Sequence, residues 1–341
     1  MVKEHRFQTV FLKNKPKVIS GYSIVGPKEG KGPFGKMFDY VMKSDFFGEK
    51  TYEKSERKML EQAIFGATDK AMLKAKDVDM LISGDLLNQI ITSSYSARAF
   101  DITYLGLFAA CSTMALSLAV GACFVNSGYF TNVACATSSH FSTAERQFRF
   151  PLELGTQKPP SSQWTCTAAG CSVISSEGEG PYIESVTFGK VMDFGIKDVN
   201  NMGAAMAPAA METMLAVFRD TKTKPENYDL IITGDLGKLG SEILLDLMEK
   251  KGYKLGINYS DCGQMMFYYD QKVLMGGSGC GCSAAIFNSY ILNKLKAGEL
   301  KKVLFIATGA LLSTTSTQQG ESIPGIAHAI VMRSDFKKGE K

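Results

Sequence analysis

Two hydrophobic patterns alternate along the chain. One is a near-continuous run of four to nine apolar and β-branched residues, as in Lys17–Val25, Asp79–Leu86 ("DMLISGDL"), Asn132–Thr137 and Ala168–Ser175. The other recurs at helical spacing, as in Met59, Leu60, Ala63, Ile64, Ala67 and Ala71. Runs of the first kind predict strands buried on both faces, and the helices between them predict a covered α/β sheet. A third stretch, "LFAACSTMALSLAVGACFVNSG" from Leu107 to Gly128, is apolar nearly all round, with Gly128 as a C-terminal stop. A helix with no polar face has to lie between layers.

The pattern occurs twice. "DMLISGDL" at Asp79–Leu86 matches "DLIITGDL" at Asp229–Leu236, an offset of 150 residues. Further on, Cys111-Ser112 matches Cys282-Ser283, and "ACATSS" (Ala134–Ser139) matches "FIATGA" (Phe305–Ala310), both at an offset of 171. Two ordered matches separated by one 21-residue insertion, between Asp235 and Cys282, indicate two copies of one unit. Each copy reads in the same order. An opening strand (Lys17–Val25; Tyr182–Val191) leads to a helix and a strand ending in Gly-Asp-Leu. A buried helix headed by Cys-Ser follows, then a short strand (Asn132–Thr137; Lys302–Thr308) and a closing strand (Ala168–Ser175; Gly325–Met332). The expected fold is an α/β five-layer α-β-α-β-α sandwich of two pseudo-repeated halves, residues 1–178 and 179–341.

Bulk properties narrow the class of function. Over 341 residues, 45% hydrophobic and 21% charged residues describe an ordinary globular chain. A formal charge of +4, dispersed along the sequence, gives no footprint for nucleic acid. The N-terminal "MVKEHRFQTVFLKNKPK" lacks the apolar core of a signal peptide. Leu105–Val125 comes nearest to a membrane span, but small and hydroxyl residues interrupt it and no basic anchors flank it. Eight cysteines without an export signal point to reduced thiols, and Cys280-Gly281-Cys282 is not zinc-finger spacing. Gly-rich "MGGSGCGC" lacks the phosphate-loop pattern and reads as tight packing at a helix start. Neither a metal nor a cofactor is expected.

The candidate chemistry centres on Cys111. At the front of a buried helix the macrodipole favours a thiolate, whereas a cysteine merely packed in a core is inert. His140 follows the strand Asn132–Thr137 and is read either as a pocket residue or as a structural one. His328, inside apolar "GIAHAIVM", reads as a hydrogen-bonded core residue, and Cys282 as packing. Phe141–Thr165 interleaves Arg146, Arg149 and Lys158 with aromatics and prolines. It reads as a solvated connection or as a lid, since long loops are often functional. Asn200–Ala210 reads as a pocket wall or as a helix start.

This order of elements, with a cysteine heading the first buried helix, resembles the thiolase superfamily. Within it, "GDLLNQI", "LGLFAACST", "ATSSHF", "RQFRFPLELGTQKPPSSQWT", "NMGAAMAPAA", "GGSGCGCSA" and "ATGALLS…ESIPGIAHA" are similar to the stage V sporulation protein AD family of endospore-forming bacteria. The resemblance implies a sporulation role in taking up dipicolinic acid (pyridine-2,6-dicarboxylate), free or as its calcium chelate, alongside membrane proteins of the same uptake system. It also implies a homodimer through the strand near Tyr104–Phe108, and a location that is soluble or peripheral to the inner forespore membrane. Cys111 falls at the nucleophile position of the fold. The His-Pro-x-Gly and late Cys-x-Gly segments of thiolases are replaced by "GGSGCGCSA" and "ATGALLS", so the bases that acyl transfer needs are missing. The implied ligand-binding set is Cys111, His140, Arg146, Arg149, Cys282, Gly309 and His328, with arginines suited to gripping a planar dicarboxylate. The alternative is an acyl-CoA-dependent acyltransferase or ketoacyl-synthase-like enzyme with Cys111 as nucleophile.

Overall fold

A computed structural model describes residues 7–148 and 159–335. The first half supplies strands β1 (Thr9–Phe11), β2 (Lys17–Val25), β3 (Tyr40–Val41), β4 (Met80–Gly84), β5 (Tyr104–Gly106), β6 (Asn132–Ser139), β7 (Trp164–Thr165) and β8 (Ala168–Ser175). Its helices are α1 (Tyr52–Lys70), α2 (Ile91–Ala97), α3 (Thr113–Ser127) and α4 (Phe141–Phe148). The second half supplies β9 (Tyr182–Thr187), β10 (Leu230–Thr233), β11 (Tyr259–Asp261), β12 (Gly277–Ser278), β13 (Lys302–Ala310) and β14 (Gly325–Arg333). With them come α5 (Met202–Thr221), α6 (Gly237–Lys250), α7 (Cys262–Met265) and α8 (Cys280–Ile286), the last continuing through a π turn to Lys296.

The main strands run β5-β4-β6-β8-β2 in the first half and β11-β10-β13-β14-β9 in the second, the same order twice. Lys17 with Tyr182 joins the two at their β2 and β9 ends, and β1 of the first half pairs with β9 over Thr9–Phe11. The opening strand of the second copy stops at Thr187, short of the expected Val191, and both short strands run two residues longer than expected. The repeat extends to hydrogen bonds. Asp79 Oδ2 accepts from the backbone N–H groups of Thr131 (2.7 Å) and Asn132 (2.8 Å); Asp229 Oδ2 accepts from those of Lys301 (2.7 Å) and Lys302 (2.8 Å). Each aspartate clamps the loop that enters the neighbouring strand. About half of the 21-residue insertion lies in α6, of 14 residues where α2 has seven, and in the four-residue α7.

Helix α3 packs against β4, β6 and β8 on one side and β13 and β14 on the other, so it occupies the middle layer with α8. Met114, Ala115, Leu118, Ala119, Ala122 and Val125 are buried all round it. This is the one described helix long and apolar enough to cross a membrane, and 67% of that stretch, Ala110–Ser127, is buried inside the protein. Gly128, at φ +80°, ends the helix as expected. Helix α1 covers the outer face of the first sheet, and α5 with α6 that of the second, which completes five layers.

Candidate functional site

Cys111 sits in a single tight turn, Ala110–Ser112, that leads into α3. Three hydrogen bonds fix the turn. Thr113 Oγ1 donates to Ala110 O (2.6 Å) and accepts from Ala109 N (3.1 Å), and Ser112 N donates to Ala109 O (3.0 Å). Ala110 is held at φ +47°, a left-handed conformation that costs energy for any residue with a Cβ. Strain of this kind next to a cysteine marks a site rather than plain core.

The thiol lies at the floor of a narrow cavity of about 30 Å³, room for about one water molecule. Leu86, Phe108, Ala110, Phe148 and Thr165 line it from the first half; Met202, Ser278, Ala310 and Leu312 line it from the second. The walls are apolar except for the two hydroxyls. Helix α4 and the β7–β12 ladder, which pairs Thr165 with Ser278, carry much of this wall. Both belong to or touch the stretch read as a lid. Asn200–Ala210 satisfies both of its readings, since Asn201 caps α5 through Ala204 N (3.3 Å) while Met202 reaches the cavity.

The electrostatics correct one expectation. Cys111 Sγ lies 3.9 Å from Ser278 Oγ, Ser278 donates to Asp235 Oδ2 (3.0 Å), and Asp235 also accepts from Gly279 N (2.9 Å) and Thr308 Oγ1 (2.8 Å). Burial, and after it the neighbouring Asp235, push the Cys111 thiol well above its ordinary range. The helix start therefore does not yield a thiolate; desolvation and a like charge outweigh the dipole, which at an exposed terminus contributes about 0.3–1 kcal/mol. Burial also raises the Asp235 carboxyl, against the four hydrogen bonds, from Gly279, Thr308, Cys111 and Ser278, that favour its charge. Behind Cys111, the Cys280 thiol donates to Ser138 O (2.9 Å). Glu56 accepts from Ser138 Oγ (3.0 Å) and Thr143 Oγ1 (2.7 Å), and its carboxyl is pushed up by burial and by Asp85.

Gly309 packs beneath the Cys111 turn, where an added Cβ would meet Ala109 O at 2.4 Å; the neighbouring Ala310 is the cavity residue. His140 has both ring nitrogens engaged inside the protein. Ser142 N donates to Nδ1 (3.1 Å), so the proton sits on Nε2 and donates to Asp45 O (2.9 Å); burial lowers its pKa. His328 Nδ1 accepts from Gly189 N (3.3 Å) beside Phe188, and burial holds it down to about 4. Cys282 is buried in the main core with Cys166 and Cys262. Arg146 pairs with Glu53 (2.9 Å) at the surface. None of these five lines the cavity, and Arg149 lies outside the described residues. Among the described residues of the expected set, Cys111 alone lines it. Ser278, Asp235 and Cys280 were missed, although Asp235 and Asp85 are the aspartates of the repeated Gly-Asp-Leu. All eight thiols are free, and no cluster among the described residues is placed to hold a metal ion.

Comparison with solved structures gives the same architecture at low identity, which bears on the fold alone. Human mitochondrial 3-ketoacyl-CoA thiolase in complex with CoA superposes with a TM-score of 0.61 and 11% identity, covering 96% of this chain and 100% of that one. The 3-oxoacyl-[acyl-carrier-protein] synthase III of Aquifex aeolicus gives 0.56 and 15%, covering 93% and 99%. The Stage V sporulation protein AD of Bacillus subtilis (strain 168) is 45% identical over 314 residues, 92% of this chain and 93% of its own length. The description of the family Stage V sporulation protein AD (SpoVAD) matches residues 6–333. With thiolase layers, a strained cysteine turn and similarity along nearly its whole length, the chain belongs to the stage V sporulation protein AD family.

Proposed function

We propose that this sporulation protein is a binding protein rather than an enzyme, that its Cys111 cavity receives dipicolinic acid, and that it thereby supports uptake of that acid into the developing spore. The observation that carries the mode of action is the pairing of Cys111 with Ser278 and Asp235 where an acyl-transfer site needs bases. A neutral, buried thiol lines a pocket; it does not attack a thioester. The ligand itself comes from the family resemblance. A pyridine dicarboxylate exceeds 30 Å³, so binding displaces Phe108 or Phe148 at the rim. The family resemblance puts Arg149 in the ligand-binding set, and an arginine suits a dicarboxylate. Passage through the membrane belongs to partner proteins embedded in it, with this chain peripheral to the inner forespore membrane. Two copies associate through β5, which pairs only with β4 among the described strands.

Isothermal titration with dipicolinate, with and without calcium and with benzoate as control, tests the reading; no heat in either condition refutes it. Cys111→Ala retains binding within about tenfold, on the order of 1.4 kcal/mol, while Cys111→Trp fills the cavity and abolishes it. An acyl adduct on the Cys111 peptide after incubation with acetyl-CoA, read by mass spectrometry, would instead establish the acyltransferase.

A further inference from the structure

Asp235 is fully buried and accepts three hydrogen bonds at once, from Ser278 Oγ, Gly279 N and Thr308 Oγ1. Ser278 has one hydroxyl proton, and it is committed to Asp235. The Cys111 thiol is then a donor, toward Ser278 Oγ at 3.9 Å and toward the Asp235 carboxylate itself. The side-chain protons of Cys111 and Ser278 run toward Asp235, so neither is offered to a ligand. No Lys, Arg or His side chain lines the cavity among the described residues. Acyl-transfer sites have the opposite polarity, with donors aimed at a developing oxyanion.

Taking the Cys111 cavity as the ligand site, we propose that Asp235 is a specificity determinant: the floor admits an uncharged, electropositive edge and rejects an anionic group, so an aromatic dicarboxylate enters ring edge first, with its carboxylates toward the mouth. For dipicolinate the inward edge is the C–H opposite the ring nitrogen. Most of the remaining wall agrees, since Leu86, Ala110, Ala310 and Leu312 offer nothing to solvate a charge and Thr165 contributes one hydroxyl.

Two ligands of nearly equal shape isolate the charge. The 4-nitro and 4-carboxy derivatives of pyridine-2,6-dicarboxylate differ at the inward position by one negative charge. The carboxy compound is expected to bind about a hundredfold more weakly, the scale of a like-charge contact a few ångströms away at a protein's effective dielectric. In Asp235→Asn the two come within tenfold; Asp235→Ser serves as the second variant should the amide upset the three-bond cluster, with circular dichroism verifying each fold. Equal affinities in the wild type, or a gap that survives removal of the charge, overturn the proposal. A second measurement needs no dipicolinate. Iodoacetamide and iodoacetate alkylate cysteines alike except for charge, and the half-buried Cys123 is an internal reference on the same chain. Relative to Cys123, Cys111 is expected to prefer the neutral reagent by at least thirtyfold, and equal preference overturns the proposal. That selectivity without dipicolinate binding supports Asp235 in its role and refutes the ligand assignment alone.

Discussion

Replacing Gly309 by alanine adds one methyl group at a close approach between the two halves. Its Cβ would lie 2.4 Å from Ala109 O, 3.1 Å from Ser112 N and 3.2 Å from the Ala110 Cβ. A carbon and a carbonyl oxygen need about 1 Å more than the shortest of these. Little of the space can come from β13, which β14 holds with Gly309 opposite Ile326, its pairing with β10 having ended at Ile306. It has to come from the Cys111 turn, which three hydrogen bonds hold and in which Ala110 is already left-handed. In an ordinary strand, exchanging glycine for alanine stabilises by about 0.5–1 kcal/mol because the unfolded chain loses freedom. Overpacking against backbone costs about 1–3 kcal/mol, and with the turn unable to relax the upper end applies. The expected net is a destabilisation of about 2 kcal/mol, or a fall in Tm of roughly 3 °C for a chain of this size. Thermal and urea unfolding followed by circular dichroism measure it. A Gly309→Ala protein as stable as the wild type, or more so, would show that the turn is free to move and that the two halves are not wedged together there.

The buried Glu29 carboxyl, which accepts from Thr167 N (3.1 Å), is pushed up to about 7, chiefly by burial. The native state thus holds a proton that the unfolded chain releases near pH 4.5, so this group's contribution is full below that value and is lost as pH rises through 7; Glu29→Gln is expected to remove about 2 kcal/mol of the stability difference between pH 5.5 and 7.5 in urea titrations. Because Asp79 and Asp229 clamp equivalent pairs of backbone N–H groups, alanine at either is expected to cost about 1–2 kcal/mol, and costs differing by more than 1 kcal/mol in denaturant midpoints would refute their equivalence. If β5 is the contact between copies, light scattering at micromolar concentration gives a dimer and Leu105→Lys gives a monomer; a wild-type monomer rules the contact out.

The layered fold was legible because its signals are local. Strand boundaries at Lys17–Val25 and Ala168–Ser175 are met to the residue, since β-branched runs bounded by polar loops leave little choice of register. The uniformly apolar stretch at Met114–Val125 could only belong between sheets. The site was less legible. Cys111 stood out by its position, but Asp235 and Ser278 lie 124 and 167 residues further along and meet it only where two helix starts converge. His140 was a candidate because it follows the strand Asn132–Thr137, while His328 already read as a hydrogen-bonded core residue; their ring nitrogens serve Asp45, Ser142 and Gly189. The repeated Gly-Asp-Leu was the signal available. A buried aspartate kept in both copies has to be satisfied by something, and in the second copy that something is the cavity floor.

The cavity is divided between the halves, with Cys111, Leu86 and Phe108 on one side and Ser278, Ala310 and Met202 on the other. During synthesis the first half leaves the ribosome with its cysteine turn and one wall, and Ser278 and Gly309 follow only after more than 160 further residues. No nascent or truncated chain presents a usable pocket, so nothing can be bound before the second half docks. The same division lets each wall change by mutation while the other holds. Ligand choice can therefore drift within such a lineage without the fold being rebuilt.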